Sequence, residues 1–234
     1  MKISEAFVLR KIEFSEADYI ISLFTRDYGK IKGLAKNAKK SRKRFGGRLE
    51  PFVHFQLRFR ERLGGMKFIE DAETIRVFST FMGDIQLFIW GSFILENIEI
   101  LLPEEEPNND IFDLLVHTLS ALDNGKPPLP VILNFQLTSL SLSGYKPNFD
   151  SCAECGNNML REAFFSIKNG GMLCKDCGEG RSSLILVSKE PRRLYDTEDY
   201  SESISRRIKL LSKFTEYHTG KEFKSSKFIK ELNL

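Results

Sequence analysis

Histidine and cysteine are scarce in this chain, and long apolar runs are absent from it. Its 234 residues include three histidines and four cysteines. The most apolar run, residues 85–95 (IQLFIWGSFIL), has about half the length that a membrane-spanning helix needs. Acids and bases interrupt the opening MKISEAFVLRKIEF, unlike the apolar segment of a signal peptide. We therefore expect a soluble, cytosolic protein with no membrane partner.

Motifs of common enzyme classes are absent too. The sequence contains no phosphate-cradling P-loop, no G-x-S-x-G and no H-E-x-x-H. The three histidines do not supply the H-x-E and P-C-x-x-C pattern of zinc deaminases. His117 falls within a predicted helix, where a structural role is expected. We therefore expect no enzymatic activity.

One stretch of the chain contains no acid at all. This basic stretch, Lys30–Arg48, holds nine lysines and arginines. Residues 1–62 contain 16 Lys and Arg against 7 Asp and Glu, whereas the other 172 residues contain 19 against 25. A basic amino-terminal module joined to an acidic body suggests a partner rich in negative charge.

Residues 1–76 show the pattern of short strands. The candidates are AFVLRKIEF, DYIISLFT, KIKGLA, Val53–Arg62 and MKFIEDAETIRVF. In Val53–Arg62 apolar residues alternate with polar ones, which predicts one face in a core and one facing out. Five short strands with glycine-bearing turns predict a small barrel or sandwich. The basic stretch would then form a long loop between the third and fourth strands.

The apolar period becomes helical after about Phe78. Residues 84–102 predict a buried helix, and residues 131–143 predict another that Gly144 and Pro147 would end. A third helix carries a stripe from Ile111 to Leu122, with Asn109 or Asp110 as its cap. From residue 188 onward the pattern is helical again, with a stripe formed by Ile204, Ile208 and Leu211.

The four cysteines form two C-x2-C pairs separated by 18 residues. They are Cys152 and Cys155, then Cys174 and Cys177. Two such pairs at this spacing are typical of a tetrahedral zinc site. Four thiolates fill the zinc coordination sphere, so we expect one structural Zn²⁺ ion. Free or disulfide-bonded cysteines and a redox or iron–sulfur site are the alternatives. Gly156 and Gly178 follow the two pairs, as a turn with positive φ requires.

The fourth candidate strand extends the basic surface. Arg58, Arg60 and Arg62 fall on its outward face beside His54, which we expect to be solvated, with phosphate contact as the alternative. Such a surface binds nucleic acid through phosphate contacts in a salt-dependent way. Tyr28 and Phe45 lie among the charges and are placed to stack on bases, although Phe45 would equally anchor the loop to a core. Five strands with a basic loop fit an oligonucleotide-binding (OB) barrel.

The opening of the chain resembles that of the bacterial RecO family of recombination mediators. The shared features are a short acidic stretch, LFT, a Tyr-Gly-Lys turn, a lysine-rich loop with a serine, and Leu-x-Pro-Phe. The four-cysteine segment stands where that family carries its zinc motif, and the ending YHTGKEFKSSKFIKEL is similar as well. The resemblance implies an α+β protein: a five-stranded OB-fold barrel followed by an α-helical domain with an embedded zinc module. The expected segments are 1–78 (OB-fold DNA-binding domain), 79–149 and 182–234 (helical domain) and 150–181 (zinc module).

The resemblance also implies function and partners. It implies a mediator of DNA repair and recombination in the RecFOR pathway that binds single- and double-stranded DNA and anneals complementary strands. It implies loading of recombinase onto DNA coated by single-strand DNA-binding protein, through the acidic tail of that protein and together with RecR, in the bacterial cytosol at the nucleoid. The zinc ligands fall on Cys152, Cys155, Cys174 and Cys177. The DNA-binding residues fall on Lys30, Lys32, Lys36, Lys39, Lys40, Arg42, Lys43, Arg44 and Arg48, to which the strand pattern adds Arg58 and Arg60.

Three other function classes fit parts of the sequence. A zinc-containing transcription or RNA factor would share the basic loop and bind nucleic acid without annealing strands. A zinc-supported enzyme would lose turnover on demetallation while keeping its fold. An interaction scaffold would bind its partners regardless of nuclease treatment.

Overall fold

The computed structural model describes residues 1–41, 43–61, 66–157, 163–181, 184–188 and 200–231. The chain forms two compact units. Unit 1 comprises Met1–Val131 and Lys224–Leu234, and unit 2 comprises Ile132–Phe223. In this division the first helices are grouped with the barrel strands.

Unit 1 begins with a closed five-stranded barrel. Its strands are β1 (Lys2–Glu13), β2 (Tyr19–Thr25), β3 (Gly29–Ala35), β4 (Val53–Glu61) and β5 (Lys67–Val77). The order around the barrel is β1-β2-β3-β5-β4, with the β3–β5 pair parallel and β1 paired to β4 to close it. The predicted OB-fold barrel is thus confirmed.

The alternation in β4 decides which face fills the barrel. Val53, Phe55, Leu57 and Phe59 are buried in the core, whereas Gln56 and Arg60 are exposed. Phe45, from the loop of residues 36–52, is 3% exposed and belongs to the same core. Of the two roles open for Phe45, the structure therefore shows the anchor.

Three helices and a final short one complete unit 1. They are α1 (Thr80–Gly83), α2 (Ile85–Leu101), α3 (Asn109–Asp123) and α7 (Ser226–Glu231). The α2 helix is buried as predicted. The cap of α3 is Asn108, whose side chain accepts the Ile111 amide, and not Asn109 or Asp110. The α7 segment is held to α2 by Glu96, which accepts the amides of Lys224 and Ser225.

Unit 2 combines two long helices with a small sheet. Its elements are α4 (Pro128–Leu142), which starts in unit 1, β6 (Ala163–Ser166), β7 (Gly171–Cys174), α5 (Lys175–Gly178), β8 (Ile185–Ser188) and α6 (Tyr200–Thr219). The sheet order is β7-β6-β8. The stripe predicted for the last helix is confirmed, since Ile204, Ile208 and Leu211 are buried. Within the described ranges, no helix is both long and apolar enough to cross a bilayer.

Candidate nucleic-acid interface and metal centre

Three lysines of the loop between β3 and β4 remain open to solvent. Lys36, Lys40 and Lys43 are exposed, and none of them forms an ion pair with another described residue. These three residues are called the open lysines below. They are the part of the predicted basic surface that is most available to a phosphate group.

The loop itself is folded by its arginines. Arg44 donates from Nη2 to the Lys36 carbonyl at 2.8 Å, and Arg48 donates from Nη1 to the Lys43 carbonyl at 2.7 Å. The Arg44 guanidinium also lies over the ring of Phe45, 4.8 Å from its centroid. Both arginines are half-buried. They therefore shape the loop that presents the open lysines. Arg42 lies outside the described residues.

Asp18, in the turn between β1 and β2, fixes the start of the loop. Its Oδ1 accepts the backbone amide of Asn37 at 2.8 Å, and Asn37 has a φ of 56°. This backbone hydrogen bond, with further contributions from Ser15, Lys36 and Lys39, lowers the pKa of Asp18 below its usual value. The carboxylate is therefore ionised at neutral pH and holds the loop beside the barrel.

Acids from other parts of unit 1 pair with several of the predicted DNA-binding residues. The pairs are Lys32 with Glu104, Lys39 with Glu13, Arg58 with Glu73 and Arg60 with Glu70. The absence of acids within the basic stretch therefore did not mean unpaired charge. Exposed pairs of this kind contribute about 0–1 kcal/mol each, so a phosphate group can displace the acid.

Lys30 does not belong to the surface on which the sequence placed it. It is 5% exposed, and its Nζ donates to the carbonyls of Glu99 and Leu102, at 2.7 Å in each case. These carbonyls belong to the carboxyl end of α2, where backbone acceptors lack helical partners. Gly29 precedes it, and a side chain there would collide with the Glu106 backbone. Lys30 is thus a structural residue that ties the barrel to α2.

His54 is also buried, contrary to the expectation of a solvated residue. Its ring stacks on Phe7 at 4.8 Å and 11°, and Nε2 lies 2.9 Å from Oε2 of Glu5. Burial lowers the pKa of His54 below its usual value of 6.5, although Glu5 opposes the shift. Phe112 of α3 covers the ring, at 5.7 Å between centroids. The outward face of β4 is therefore covered by a helix at this end.

A groove on the other end of β4 contains an aromatic residue that the sequence analysis missed. Lys36, Arg60, Glu61 and Phe68 line a cavity of about 350 Å³. Phe68 of β5 pairs with Arg60 in the sheet and is half-exposed, with the Lys36 ammonium 5.6 Å from its ring centroid. The alternation Phe68, Ile69, Glu70 was the available signal, because it places Phe68 opposite the buried Ile69. Tyr28, by contrast, packs edge-on against Phe59.

The four cysteines of unit 2 come together as predicted. Their sulfur atoms all lie within 4.8 Å of one another, and Sγ of Cys155 is 3.7 Å from Sγ of Cys174. None of them is disulfide-bonded. A tetrahedral zinc ion with Zn–S bonds of about 2.3 Å places sulfurs about 3.8 Å apart. The donor set therefore fits a metal ion without rearrangement of the backbone.

Backbone amides favour the thiolate form of Cys152, the form in which a cysteine binds a metal ion. Burial raises the pKa of the Cys152 thiol, but hydrogen bonds from the amides of Cys155, Cys174 and Glu154 outweigh it and lower the pKa to about 6. Gly156, with a φ of 75°, closes the first turn as predicted. The corresponding positive φ in the second turn lies at Gly180. Gly178 is required for a different reason, since a side chain there would collide with the ring of Phe164.

Comparisons with known proteins agree with this architecture. Residues 1–78 match the family model "Recombination protein O N terminal", and residues 82–227 match "Recombination protein O C terminal". The chain is similar to a DNA repair protein RecO of Anaeromyxobacter sp. (strain K), with 31% identity over 96% of this chain and 94% of that protein. It is 30% identical to the protein of the same name from Myxococcus xanthus, over 98% of this chain and 97% of the relative. The DNA repair protein RecO of Caldanaerobacter subterraneus is likewise 30% identical, over 98% of both chains. The chain therefore belongs to the Recombination protein O (RecO) family of DNA repair proteins.

Proposed function

We propose that the protein binds single- and double-stranded DNA through the basic surface of its barrel and anneals complementary strands. We further propose that it helps to load recombinase onto DNA coated by single-strand DNA-binding protein, together with RecR. The observation that carries the first part is the set of open lysines, one of which, Lys36, lines the groove that contains Phe68. Family membership supports the role in repair and recombination.

The proposed mechanism is electrostatic. Two complementary strands repel each other through their phosphates, and the open lysines reduce this repulsion when a strand lies along the loop. Lys39, Arg58 and Arg60 add to the surface when phosphates displace their acids. A half-exposed ring such as that of Phe68 offers a face on which bases stack without regard to sequence. Base pairing then supplies the free energy of annealing, so no nucleotide hydrolysis is required.

We also propose that the four cysteines hold one structural Zn²⁺ ion. The spacing of the sulfurs and the amides around Cys152 support this identity. The zinc ion would only cross-link the two cysteine pairs, because four thiolates leave no open coordination position for a substrate or water. The proposed partners are RecR and single-strand DNA-binding protein, whose acidic tail is proposed to bind the helical part.

The test reverses the charge of the three open lysines. We expect the triple variant Lys36→Glu, Lys40→Glu, Lys43→Glu to bind a single-stranded oligonucleotide more weakly. The plot of log affinity against log salt should flatten by about 2 units, since each phosphate contact on single strands contributes about 0.7. Annealing of oligonucleotides coated with single-strand DNA-binding protein should slow in parallel. Fluorescence anisotropy and a strand-annealing assay across a salt series provide both readouts.

A matched control has the same change in net charge elsewhere in unit 1. Lys126, Lys224 and Lys227 are exposed and lie off the barrel strands, so the triple variant with glutamate at these positions should keep the wild-type slope. Equal slopes for both triple variants would exclude the loop as the DNA-binding surface. Binding without annealing by the wild-type protein would instead favour the alternative of a general zinc-containing nucleic-acid-binding protein.

A further inference from the structure

Unit 2 exposes three large aromatic side chains that belong to one cluster. They are Tyr145, Phe149 and Tyr217, which are 37%, 40% and 57% exposed. Among the described residues of this unit, the other large apolar side chain with comparable exposure is Leu142, at 38%, three positions before Tyr145. The exposed apolar surface of unit 2 is therefore concentrated rather than scattered, and concentrated patches of this kind mark interaction sites.

The exposed rings are joined through rings in the interior. His218 lies 6.1 Å from Tyr145 and 5.2 Å from Tyr217 between centroids, and its Nε2 is 3.0 Å from the Ile167 carbonyl. Phe149 stacks on Phe165 at 5.6 Å. Phe165 and His218 both contact the buried ring of Phe214. Their centroids lie 6.0 and 4.3 Å from its centroid. The three exposed rings thus stand on a fixed base and lose little conformational freedom when a ligand covers them.

Three exposed lysines of unit 2 lie near parts of this cluster. Lys209 and Lys213 are exposed on the α6 face that also carries Tyr217, and Lys168 is exposed in the turn next to Ile167. None of these three lysines forms an ion pair with another residue in the described part of the chain. Glu216, the acid nearest to Tyr217 in sequence, is engaged by the Phe223 amide at 3.0 Å. Asp150, next to Phe149 in sequence, is an exposed acid.

We propose that these residues form a second binding site for single-stranded nucleic acid, separate from the barrel. The site, called the aromatic–lysine surface, consists of Tyr145, Phe149, Tyr217, Lys168, Lys209 and Lys213. Lysines that neutralise phosphates beside flat rings that stack on bases are the combination that binds single strands without sequence preference. An acidic peptide would use the lysines, but it would leave the three rings without stacking partners. The inference deepens the proposed function, because a chain with two such surfaces holds both strands that are to be annealed.

The test counts the binding sites on the full-length protein. A fluorescent oligothymidine of about 12 nucleotides, within the site size of one oligonucleotide-binding surface, is titrated at low salt. We expect two oligonucleotides per wild-type chain, and one per chain both for Tyr217→Leu combined with Lys213→Ala and for the triple variant of the open lysines. Because Tyr217 and Lys213 are exposed, their substitution should leave the fold intact, as circular dichroism would verify.

A matched pair of variants at Tyr217 distinguishes stacking by the aromatic ring from general apolar contact. Tyr217→Phe should retain the affinity of the second site, whereas Tyr217→Leu should weaken it by at least about fivefold, as expected for the loss of one stacked base. Equal effects of both variants, or a wild-type chain with one site that Tyr217→Leu does not change, would overturn the proposal and leave the barrel site intact. Loss of all binding in the triple variant of the open lysines would overturn it too. If the wild-type chain binds no oligonucleotide, both this inference and the proposed function fail.

Discussion

Lys30 and Lys36 have the same side chain and opposite surroundings. Lys30 is buried against the last carbonyls of α2, while Lys36 is exposed beside the groove that contains Phe68. The first ammonium satisfies backbone acceptors, and the second is available to a phosphate. Two lysines six positions apart therefore have different roles, and only their contacts in the folded structure distinguish the two roles.

This difference predicts opposite effects for the same substitution. Lys30→Met leaves the carbonyls of Glu99 and Leu102 without their donor, so the free energy of unfolding should fall by about 1–3 kcal/mol. DNA affinity should stay near the wild-type value when measured well below the melting temperature. Lys36→Met should do the reverse, with unchanged stability and weaker DNA binding. Urea denaturation and anisotropy on both variants check this; a stable Lys30→Met protein that has lost DNA binding would contradict it.

The contact between β4 and α3 buries a residue that the sequence pattern of β4 predicts to be exposed. Period two places His54 on the outward face of β4, but Phe112 of α3 covers that face and Phe7 of β1 stacks beside it. The histidine is therefore held in an apolar environment in which its neutral form is favoured. Stability should consequently depend on pH through this one contact between elements.

The sign of that dependence follows from the lowered pKa of His54. The unfolded chain takes up a proton near pH 6.5, whereas the folded chain does so only at a lower pH. Acidification therefore favours unfolding, so stability should be constant above about pH 7 and decrease as the pH falls below about 6.5 towards the folded pKa. His54→Phe should remove this part of the slope, and His117→Phe, at an exposed site on α3, should not. Urea titrations between about pH 5 and 8 measure it; equal slopes in the two variants would assign the dependence to other groups.

Some elements of the structure could be predicted from the sequence and others could not. The five strands and the four-cysteine cluster were predictable, because period-two alternation and C-x2-C spacing are local signals. The cap at Asn108 was missed by one position, within the usual uncertainty of helix ends. The burial of Lys30 and His54 and the ion pairs of the basic residues depend on α2, α3 and acids distant in sequence. No local pattern in the chain reports such contacts.

At the scale of the whole molecule, unit 1 is built from two segments of the chain, and unit 2 lies between them in sequence. Residues 224–234 return to unit 1, where Glu96 binds the amides of Lys224 and Ser225. Each unit nevertheless has its own core, one of barrel strands and one centred on Phe165 and Phe214. Loss of structure in unit 2 should therefore leave the barrel folded.

Removal of the proposed metal ion tests this independence. The cysteine module contains few aliphatic residues, and structural zinc contributes about 10 kcal/mol or more to the folding of small domains that depend on it. After chelation, or in Cys155→Ser, we expect amide hydrogens in residues 148–157 and 163–178 to exchange almost as fast as in an unfolded chain, with the protection of β1–β5 unchanged. Lys175→Ser, at an exposed position beside a ligand, is the matched control and should keep its protection.

The same experiment links the proposed metal ion to the two proposed binding surfaces. Phe149 stacks on Phe165 of β6, so loss of the module should displace an exposed ring of the aromatic–lysine surface. The metal-free protein should then bind one short oligonucleotide per chain, through the open lysines, and anneal strands more slowly. Hydrogen exchange followed by mass spectrometry, combined with the oligonucleotide titration, measures both effects. Equal loss of protection in both units would contradict their independence, and unchanged protection throughout would exclude a folding role for the metal.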